Sequence, residues 1–497
     1  MATSQIVVGV VVALAAGLRW LRVAQREHYM TGSVVRFARR WWLSSSVNLL
    51  LIMAGIIGVV GVWWWPPIGW LSLTLALGPI GLTLRGRSSP LIWTARLRRV
   101  ASVVGVVVAG GIALAVATGD PGWSLVVGLA MPLIVDLALA VMTPFERMIT
   151  EPWVRRAAAK LASSGARVVA ITGSYGKTTT KGYVHHLVSG RLSAVATPAS
   201  FNNRMGLARA INEHLLPGAE VFVAEMGTYR KGEIAELCRF VPPDIAVITS
   251  IGPVHLERFG SEEAIVEAKR EILANAGVAI LNIDHPLLAK VAEEEDARLK
   301  VIRTSGFDVG ADVSVVDGVL RIGGQTVGVV GPEVFGTNLA SAAAAAIQCG
   351  LPEEEIARRL PTLPVSPQRR QQTNSERGFA IIDDTYNSNP AGAAAALQTL
   401  CTLPGAGRRV VVTPGMVELG SRQYADNEAF SRAVGELASD LVVVGRTNRR
   451  ALVQGARGGR AAVTVVSSRQ EAVEWVRARL GPGDAVLYEN DLPDHYP

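Results

Sequence analysis

The residues best suited to chemistry form a glycine-rich segment, Gly173–Thr180, which reads Gly-Ser-Tyr-Gly-Lys-Thr-Thr-Thr. It follows a short β-branched run, Val168–Ile171, and precedes a helix-like stretch, which is the context that a phosphate-binding loop needs. Glycines let the backbone curl so that its amide groups face a phosphate, and the helix N-terminus adds a positive field. Lys177 would reach the β- and γ-phosphates, and Thr178 would bind Mg²⁺. Only two residues separate the two glycines, which departs from the usual Walker spacing.

Three further candidates follow later strands. Glu225 comes directly after the apolar run Glu220–Ala224, and a carboxylate at the end of a buried strand can hold Mg²⁺ beside a phosphate loop. His255 lies in a Gly-Pro loop after Ile245–Thr249, at the same expected edge of the sheet, so we predict a metal or substrate role for it. Lys269 follows in a helical pattern and, taken by itself, would be a solvated lysine.

The elements that must position these residues alternate from Arg167 onward. Short apolar runs separated by helical stretches are typical of a parallel, doubly wound sheet. A proline-rich break at Pro361–Pro367 separates two such series, so we predict a central phosphate-loop ATPase domain with a parallel sheet over 151–360 and a Rossmann-like C-terminal domain over 361–497. The predicted strands are Val168–Ile171, Glu220–Ala224, Ile245–Thr249, Val278–Asn282, Phe379–Ile382, Arg409–Thr413, Asp440–Val444, Ala461–Val466 and Ala485–Tyr488.

The first 150 residues are different in composition and predict a membrane region. The chain is 49% hydrophobic and 18% charged, and the apolar excess is concentrated here. Four of five apolar runs approach the roughly 20 residues that a spanning helix needs. Arginine clusters in three of the connecting segments, and positive segments stay on the cytoplasmic side. We therefore predict about five transmembrane helices over 1–150, an outside N-terminus, and catalytic domains on the cytoplasmic face of the cell membrane. The runs are Ile6–Leu18, Val47–Trp65, Ile68–Leu84, Val100–Thr118 and Trp123–Met142.

The remaining charged and sulfur-containing residues favour ordinary roles. The net charge of +7 is assigned to arginines that face anionic lipid, because no nucleic-acid-binding motif accompanies it. We expect no nucleic-acid partner. Cys238, Cys349 and Cys401 have no metal-binding spacing and are expected to be reduced thiols. Asp136 lies in the fifth apolar run, where a carboxylate can be functional, but a capping role is favoured.

In order and approximate spacing, the loop and the three later candidates resemble the central-domain pattern of the Mur ligase superfamily of ATP-dependent, peptide-forming enzymes. Ala199–Gly206 is similar to the asparagine-rich substrate loop of the branch that adds D-alanyl-D-alanine, and Asp383–Pro390 and Met416–Gly420 are similar to its C-terminal signatures. Thr337 stands where family members often carry His. Membrane helices stand where the family has the soluble domain that grips a uridine-diphosphate sugar. The resemblance covers the chain from about residue 150 to the end.

The resemblance implies a reaction in which ATP phosphorylates a carboxylate and an amine attacks the acyl phosphate to form an amide. It implies catalytic roles for Lys177, Glu225, His255 and Lys269. Two Mg²⁺ ions would be held by Thr178, Glu225, His255 and a carbamate on Lys269. The implied ATP-binding residues are Gly173, Ser174, Gly176, Lys177, Thr178, Thr179, Asn282, Asp284, Asn338, Arg369 (or its neighbour Arg370) and Asp384. The implied substrate-binding residues are Asn202, Asn203, Arg204, Tyr386, Asn387 and Asn389.

The implied function is addition of D-alanyl-D-alanine to a muramoyl-peptide cell-wall precursor at the cytoplasmic membrane face. Its expected partners are that precursor, an amino-acid or dipeptide amine, the lipid membrane and other cell-wall synthesis proteins. Three alternatives stay open: a related ligase adding another amino acid to a different or lipid-linked carboxylate, a membrane-anchored nucleotide-switch ATPase, and a pseudoenzyme scaffold. Lys269 and Asp383–Pro390 argue against a switch, which needs neither, and the intact catalytic set argues against a scaffold.

Overall fold

A computed structural model describes residues 2–84, 90–331, 334–364, 371–385, 389–405, 407–492 and 495–497. Among the predicted site residues, Arg369 (with its neighbour Arg370), Tyr386 and Asn387 lie outside these ranges.

The N-terminal region is helical, as predicted. Its helices are α1 (Ala2–Arg26), α2 (Ser33–Trp42), α3 (Ser46–Gly61), α4 (Thr74–Leu77), α5 (Ala95–Thr118), α6 (Gly122–Leu129) and α7 (Met131–Ser164), with a 3₁₀ helix at Pro66–Leu73. By length and composition, α1 and α5 could each cross a membrane. The pairs α2–α3 and α6–α7 are bent by 112° and 69°, and counting each pair as one span raises the number to four among the described residues.

The third apolar run corrects the prediction of five spans, because its helical part, Pro66–Leu77, is shorter than a span and largely 3₁₀. The segment packs antiparallel along α3, where a side chain at Gly58 would meet Ser72 and one at Gly61 would meet Ile68. The glycines of α3 therefore allow the close approach of the returning segment.

The central domain holds a nine-stranded sheet in the order β2-β3-β1-β4-β5-β6-β7-β8-β9. Strands β1 to β7 are parallel to their neighbours, whereas β8 pairs antiparallel with both β7 and β9. The prediction of an all-parallel sheet is therefore corrected to a mixed sheet. The strands are β1 (Arg167–Thr172), β2 (Ala194–Ala196), β3 (Val221–Glu225), β4 (Ile245–Ile248), β5 (Val278–Asn282), β6 (Lys300–Ser305), β7 (Val313–Val316), β8 (Val319–Ile322) and β9 (Gln325–Val329). The helices are α8 (Lys177–Val188), α9 (Arg204–His214), α10 (Glu233–Cys238), α11 (Leu256–Phe259), α12 (Glu262–Arg270), α13 (Pro286–Glu295), α14 (Gly336–Gln348) and α15 (Glu353–Arg359), with 3₁₀ turns at Glu271–Leu273 and Leu360–Thr362.

Helices cover both faces of this sheet. Successive residues of a strand point to opposite faces, and in β1 Val168 and Ala170 enter one buried cluster while Val169 and Ile171 enter the other. A strand buried on both sides must be apolar throughout, which is why its sequence is a continuous β-branched run. The predicted boundary near residue 150 falls inside α7, whose Val154, Ala157 and Leu161 join the first cluster.

The C-terminal domain holds a six-stranded mixed sheet in the order β10-β11-β15-β12-β13-β14, in which only β10 pairs antiparallel. The strands are β10 (Gln371–Asn374), β11 (Ala380–Asp384), β12 (Arg409–Thr413), β13 (Asp440–Val444), β14 (Ala462–Val466) and β15 (Ala485–Glu489). The helices are α16 (Pro390–Thr402), α17 (Gln423–Leu437), α18 (Arg449–Gly455) and α19 (Arg469–Arg479), with a 3₁₀ turn at Gly420–Arg422. The succession of a helical region and two α/β domains is thus as predicted.

Candidate active site

The glycine-rich segment forms a tight loop between β1 and α8. Gly173 and Gly176 have φ angles of 155° and 79°, which ordinary side chains rarely adopt. The Lys177 ammonium donates to the carbonyl oxygens of Gly173 (2.7 Å) and Ser174 (3.2 Å), across the curl of the loop. Asn338, at the start of α14, lies against Gly176, where a side chain in place of glycine would collide with its amide. The loop thus brings two of the predicted ATP-binding positions into contact.

A buried carboxylate meets the start of α8. Glu225 ends β3 and is 1% exposed. Its Oε2 accepts a hydrogen bond from Thr178 Oγ1 (2.9 Å), and its Oε1 accepts one from Asn202 Nδ2 (3.0 Å). Three predicted residues from three separate segments are therefore in direct contact. Mg²⁺ binds hydroxyl, carboxylate and phosphate oxygens, and here a hydroxyl and a carboxylate oxygen lie beside a helix N-terminus. The side chains at this position therefore fit a magnesium ion that also binds phosphate.

Lys181 completes this cluster, although the sequence analysis missed it. Its buried ammonium lies 3.0 Å from Glu225 Oε2 and donates to the carbonyl oxygen of Ala199 at 2.5 Å. It stands three positions after Thr178 on α8, and residues at that spacing share a helix face. The spacing was therefore a usable signal. Lys181 links the glutamate to the start of the asparagine-rich segment.

His255 contacts the C-terminal domain. Its Nδ1 hydrogen-bonds the carboxylate of Glu418, which also accepts from Arg258 at 2.8 Å. Burial lowers the pKa of His255, against the opposing effect of Glu418. Burial alone would raise the pKa of Glu418, but His255 and Arg258 outweigh it and lower that pKa to about 2. Glu418 belongs to the Met416–Gly420 segment, to which the sequence analysis gave no residue role.

Lys269 lies on α12 and is 5% exposed. Burial, followed by the positive charge of Lys177, holds the pKa of Lys269 well below its usual value. The lysine is thus not the solvated residue that its helical pattern alone suggested. Lys177 also lowers the pKa of His255, so its charge acts on both predicted metal-binding positions. Among the described residues, no group of three His, Cys, Asp or Glu side chains forms a metal site by itself.

The predicted nucleoside turn is held by local hydrogen bonds. Asn282 donates to Thr249 O (2.9 Å) and accepts from the Asp284 amide (3.1 Å). The Asp284 carboxylate accepts from the Gly306 amide (2.9 Å) and from Thr337 Oγ1 (3.2 Å). Thr337 therefore ties the start of α14 to this turn.

Other predicted residues have structural contacts in this arrangement. Asn203 caps α9 and Asn389 caps α16, each accepting from a backbone amide. Arg204 donates to Glu151 Oε2 at 2.6 Å and thereby joins α9 to α7. Ser174 donates to Gly252 O at 3.2 Å. Asp384 is buried at the end of β11, beside Glu489 of β15. The remaining predicted loop position, Thr179, lies in the first turn of α8.

A glycine-rich loop whose threonine bonds a buried glutamate, carried on one α/β domain that contacts a second, is the arrangement of an enzyme that binds the phosphates of a nucleotide. Residues 171–327 match the Mur ligase middle domain, and residues 368–488 match the Mur ligase glutamate ligase domain. The chain belongs to the Mur ligase family.

Several curated relatives share one name. The UDP-N-acetylmuramoyl-tripeptide–D-alanyl-D-alanine ligase of Mycobacterium tuberculosis is 34% identical over 370 residues, which cover 66% of this chain and 71% of the relative. The ligase of the same name from Bacillus subtilis is 31% identical over 352 residues, covering 67% and 75%. Among solved structures, MurF ligase from Thermotoga maritima in complex with ADP has a TM-score of 0.57 at 25% identity, covering 69% of this chain and 80% of that one. MurF from Acinetobacter baumannii shares the fold, with a TM-score of 0.58 at 24% identity and coverage of 68% and 77%.

Proposed function

We propose that this protein is an ATP-dependent ligase that joins D-alanyl-D-alanine to the peptide carboxylate of a muramoyl-tripeptide. The contact of Thr178 with Glu225 beside the phosphate loop carries the proposal, in a chain that is 34% identical over 370 residues to a ligase of that name. A phosphate loop alone supports only nucleotide binding. The relatives supply the choice of substrates.

The chemistry needs an activated carboxylate. The substrate carboxylate oxygen attacks the γ-phosphorus of ATP, the bond to ADP breaks, and an acyl phosphate forms. The amine then attacks the acyl carbon, phosphate leaves with that oxygen, and the amine loses a proton. Lys177 would offset charge on the transferring phosphoryl group, since its ammonium already lies over the loop. Thr178 and Glu225 would hold one Mg²⁺ and His255 would contribute to a second position, and the bound ions would supply positive charge to the phosphate oxygens.

Lys269 is suited to carbamate formation. Because its pKa is lowered, a larger fraction of the amine is neutral at neutral pH than in an ordinary lysine. A neutral amine adds to carbon dioxide, loses one proton and becomes a carbamate with two oxygen donors. Such a group offers the hard oxygen ligands that Mg²⁺ prefers, which an ammonium cannot.

The helical region would hold the enzyme at the cytoplasmic membrane. The observation behind this proposal is the apolar surface of α5. In the most apolar 18-residue stretch of this helix, only 17% is buried against the rest of the protein. Such a surface is costly in water and favourable in lipid. The catalytic domains would face the cytoplasm, with other cell-wall synthesis proteins as neighbours.

The Lys177→Ala variant tests the site. We expect phosphate release from ATP, UDP-muramoyl-tripeptide and D-alanyl-D-alanine to fall by at least about 10²-fold, because the loss removes a positive group at the transferring phosphate. Lys290→Ala, at an exposed lysine of α13, is the matched control. Full activity of Lys177→Ala would refute the assignment of the loop, and wild-type phosphate release that no amine stimulates would refute the ligase.

A further inference from the structure

A cavity of about 550 Å³ lies where the three parts of the molecule meet. Arg40 of α2 contributes from the helical region, and Glu257 of α11 contributes from the central domain. Tyr424, Arg446 and Arg450 contribute from the C-terminal domain. Three arginines face one glutamate across this cavity, so its lining carries excess positive charge.

Among the described residues, two of these three arginines have no ion-pair partner. Arg40 forms an ion pair with Glu257 and therefore neutralises the single acidic group of the lining. Arg446 and Arg450 are exposed, and within the described part of the chain neither side chain makes an ion pair. A guanidinium presents a planar fork of donors that matches the oxygens of a phosphate. The two free arginines therefore favour an anionic, phosphate-bearing ligand.

The cavity adjoins the candidate active site. The Glu257 amide donates to Glu418 O at 3.2 Å, and Gly420 packs directly on the backbone of Glu257. His255 lies two positions before Glu257, and it bonds the carboxylate of Glu418. A ligand in the cavity would therefore be next to the loop that carries the predicted metal-binding histidine.

The same cavity lies beside the apolar part of the helical region. Leu43, three residues beyond Arg40, is 60% exposed, and Val47 and Leu50 of α3 are 51% and 69% exposed. Val47 and Leu50 are three positions apart and therefore share one face of α3, and Leu43 lies in the bend between α2 and α3. A ligand that combines phosphate groups with a lipid tail could use both features, whereas a nucleotide-linked ligand would use only the first.

We infer that this cavity binds the sugar diphosphate of the muramoyl-peptide substrate. The inference rests on the proposed function. The names of the matched relatives specify a UDP-linked muramoyl-tripeptide, and the family match in this chain begins at residue 171, whereas the alignment with the Mycobacterium tuberculosis ligase covers 71% of that relative. The helical region that precedes them contributes Arg40 to the cavity. Arg446 and Arg450 hold the diphosphate, and the peptide extends past Glu257 towards His255.

The double variant R446Q/R450Q tests this inference in the full-length protein in detergent. Three substrates are compared: nucleotide-linked muramoyl-tripeptide, lipid-linked muramoyl-tripeptide and muramoyl-tripeptide without a diphosphate. We expect KM for either diphosphate substrate to rise about 10²-fold, about tenfold for each lost charged contact. KM for ATP and for the truncated substrate should stay within about twofold of the wild type. The lower wild-type KM of the two diphosphate substrates identifies the source of the ligand.

The matched control is R432Q/R457Q, two exposed arginines of the same domain outside the cavity. An unchanged KM for both diphosphate substrates would overturn the inference, as would an equal loss on the truncated substrate. A thermal unfolding midpoint of R446Q/R450Q equal to that of the wild type shows that the variant is folded. Wild-type protein that turns over none of the three substrates would instead overturn the proposed function.

Discussion

At the scale of single residues, the side chains around the phosphate loop depend on one another. The Glu225 carboxylate accepts hydrogen bonds from Thr178 and Asn202 and forms an ion pair with Lys181. One buried carboxylate therefore joins the loop to the asparagine-rich segment. A buried charge without partners is strongly unfavourable, which is why this glutamate is so fully bonded. Any cation that binds Glu225 must therefore share the carboxylate with the Lys181 ammonium.

Single residues were predictable where a pattern tied chemistry to an element. Strand–loop–helix context singled out Lys177 and Thr178, and the strand end singled out Glu225. The contact of His255 with Glu418 could not be predicted, because it joins two domains across 163 positions of the chain. Sequence periodicity reports a residue's own element and not its distant partners. The roles of Arg369, Tyr386 and Asn387 stay predictions outside the described residues.

Glu489 gives a pH-dependent prediction at this scale. Burial raises the pKa of Glu489 to about 8, with a further rise from Asp384 and an opposing hydrogen bond from Thr413. The folded protein thus retains a proton that the unfolded chain loses near pH 4.5, so stability falls as the pH rises from about 4.5 through 8. E489Q, which cannot ionise, should melt about 2–4 °C above the wild type at pH 8.5 and lose this advantage at pH 5.

Thermal unfolding at both pH values measures the effect, with exposed Glu474→Gln of α19 as the control. A melting difference between E489Q and the wild type that is the same at pH 5 and pH 8.5 would contradict the raised pKa.

At the scale of elements, buried strands were the most predictable features. The predicted Val278–Asn282 and Arg409–Thr413 coincide with β5 and β12. Strands β8 and β9 were missed because they are short, partly exposed and lie in a Gly-containing hairpin without a continuous apolar run. Those exposed edges are also where the sheet turns antiparallel, so the same local cause explains the wrong prediction of an all-parallel sheet.

The helices of the N-terminal region carry a prediction about the membrane. Val106 and Val116 of α5 are 73% and 64% exposed, so the outer face of this helix is apolar. We expect the full-length protein to stay in the membrane pellet after an alkaline carbonate wash, because removing α5 from lipid would expose this face to water. Release of the protein into the supernatant by that wash would contradict a spanning arrangement. A peripheral membrane protein bound by charge alone serves as the released control.

At the scale of the whole molecule, the three parts meet at one ionic cluster. Glu27, between α1 and α2, lies 3.3 Å from Arg258 of α11, and Arg258 contacts Glu418 of the C-terminal domain. His495 Nε2 also lies 3.0 Å from Glu27 Oε1. The helical region is therefore linked, through Arg258, to the same glutamate that bonds His255. Such long-range contacts are invisible in local sequence patterns, although the order of the three parts was predictable from composition.

The central claim is that the chain makes an amide through an acyl phosphate. The most direct measurement supplies muramoyl-tripeptide whose reacting carboxylate carries ¹⁸O, together with ATP and D-alanyl-D-alanine, and follows the label by mass spectrometry. In the proposed reaction, one carboxylate oxygen leaves with the phosphate, so each turnover should yield one ¹⁸O-labelled phosphate and one new amide. Unlabelled phosphate would contradict the proposed reaction, because ATP would then have been cleaved by water.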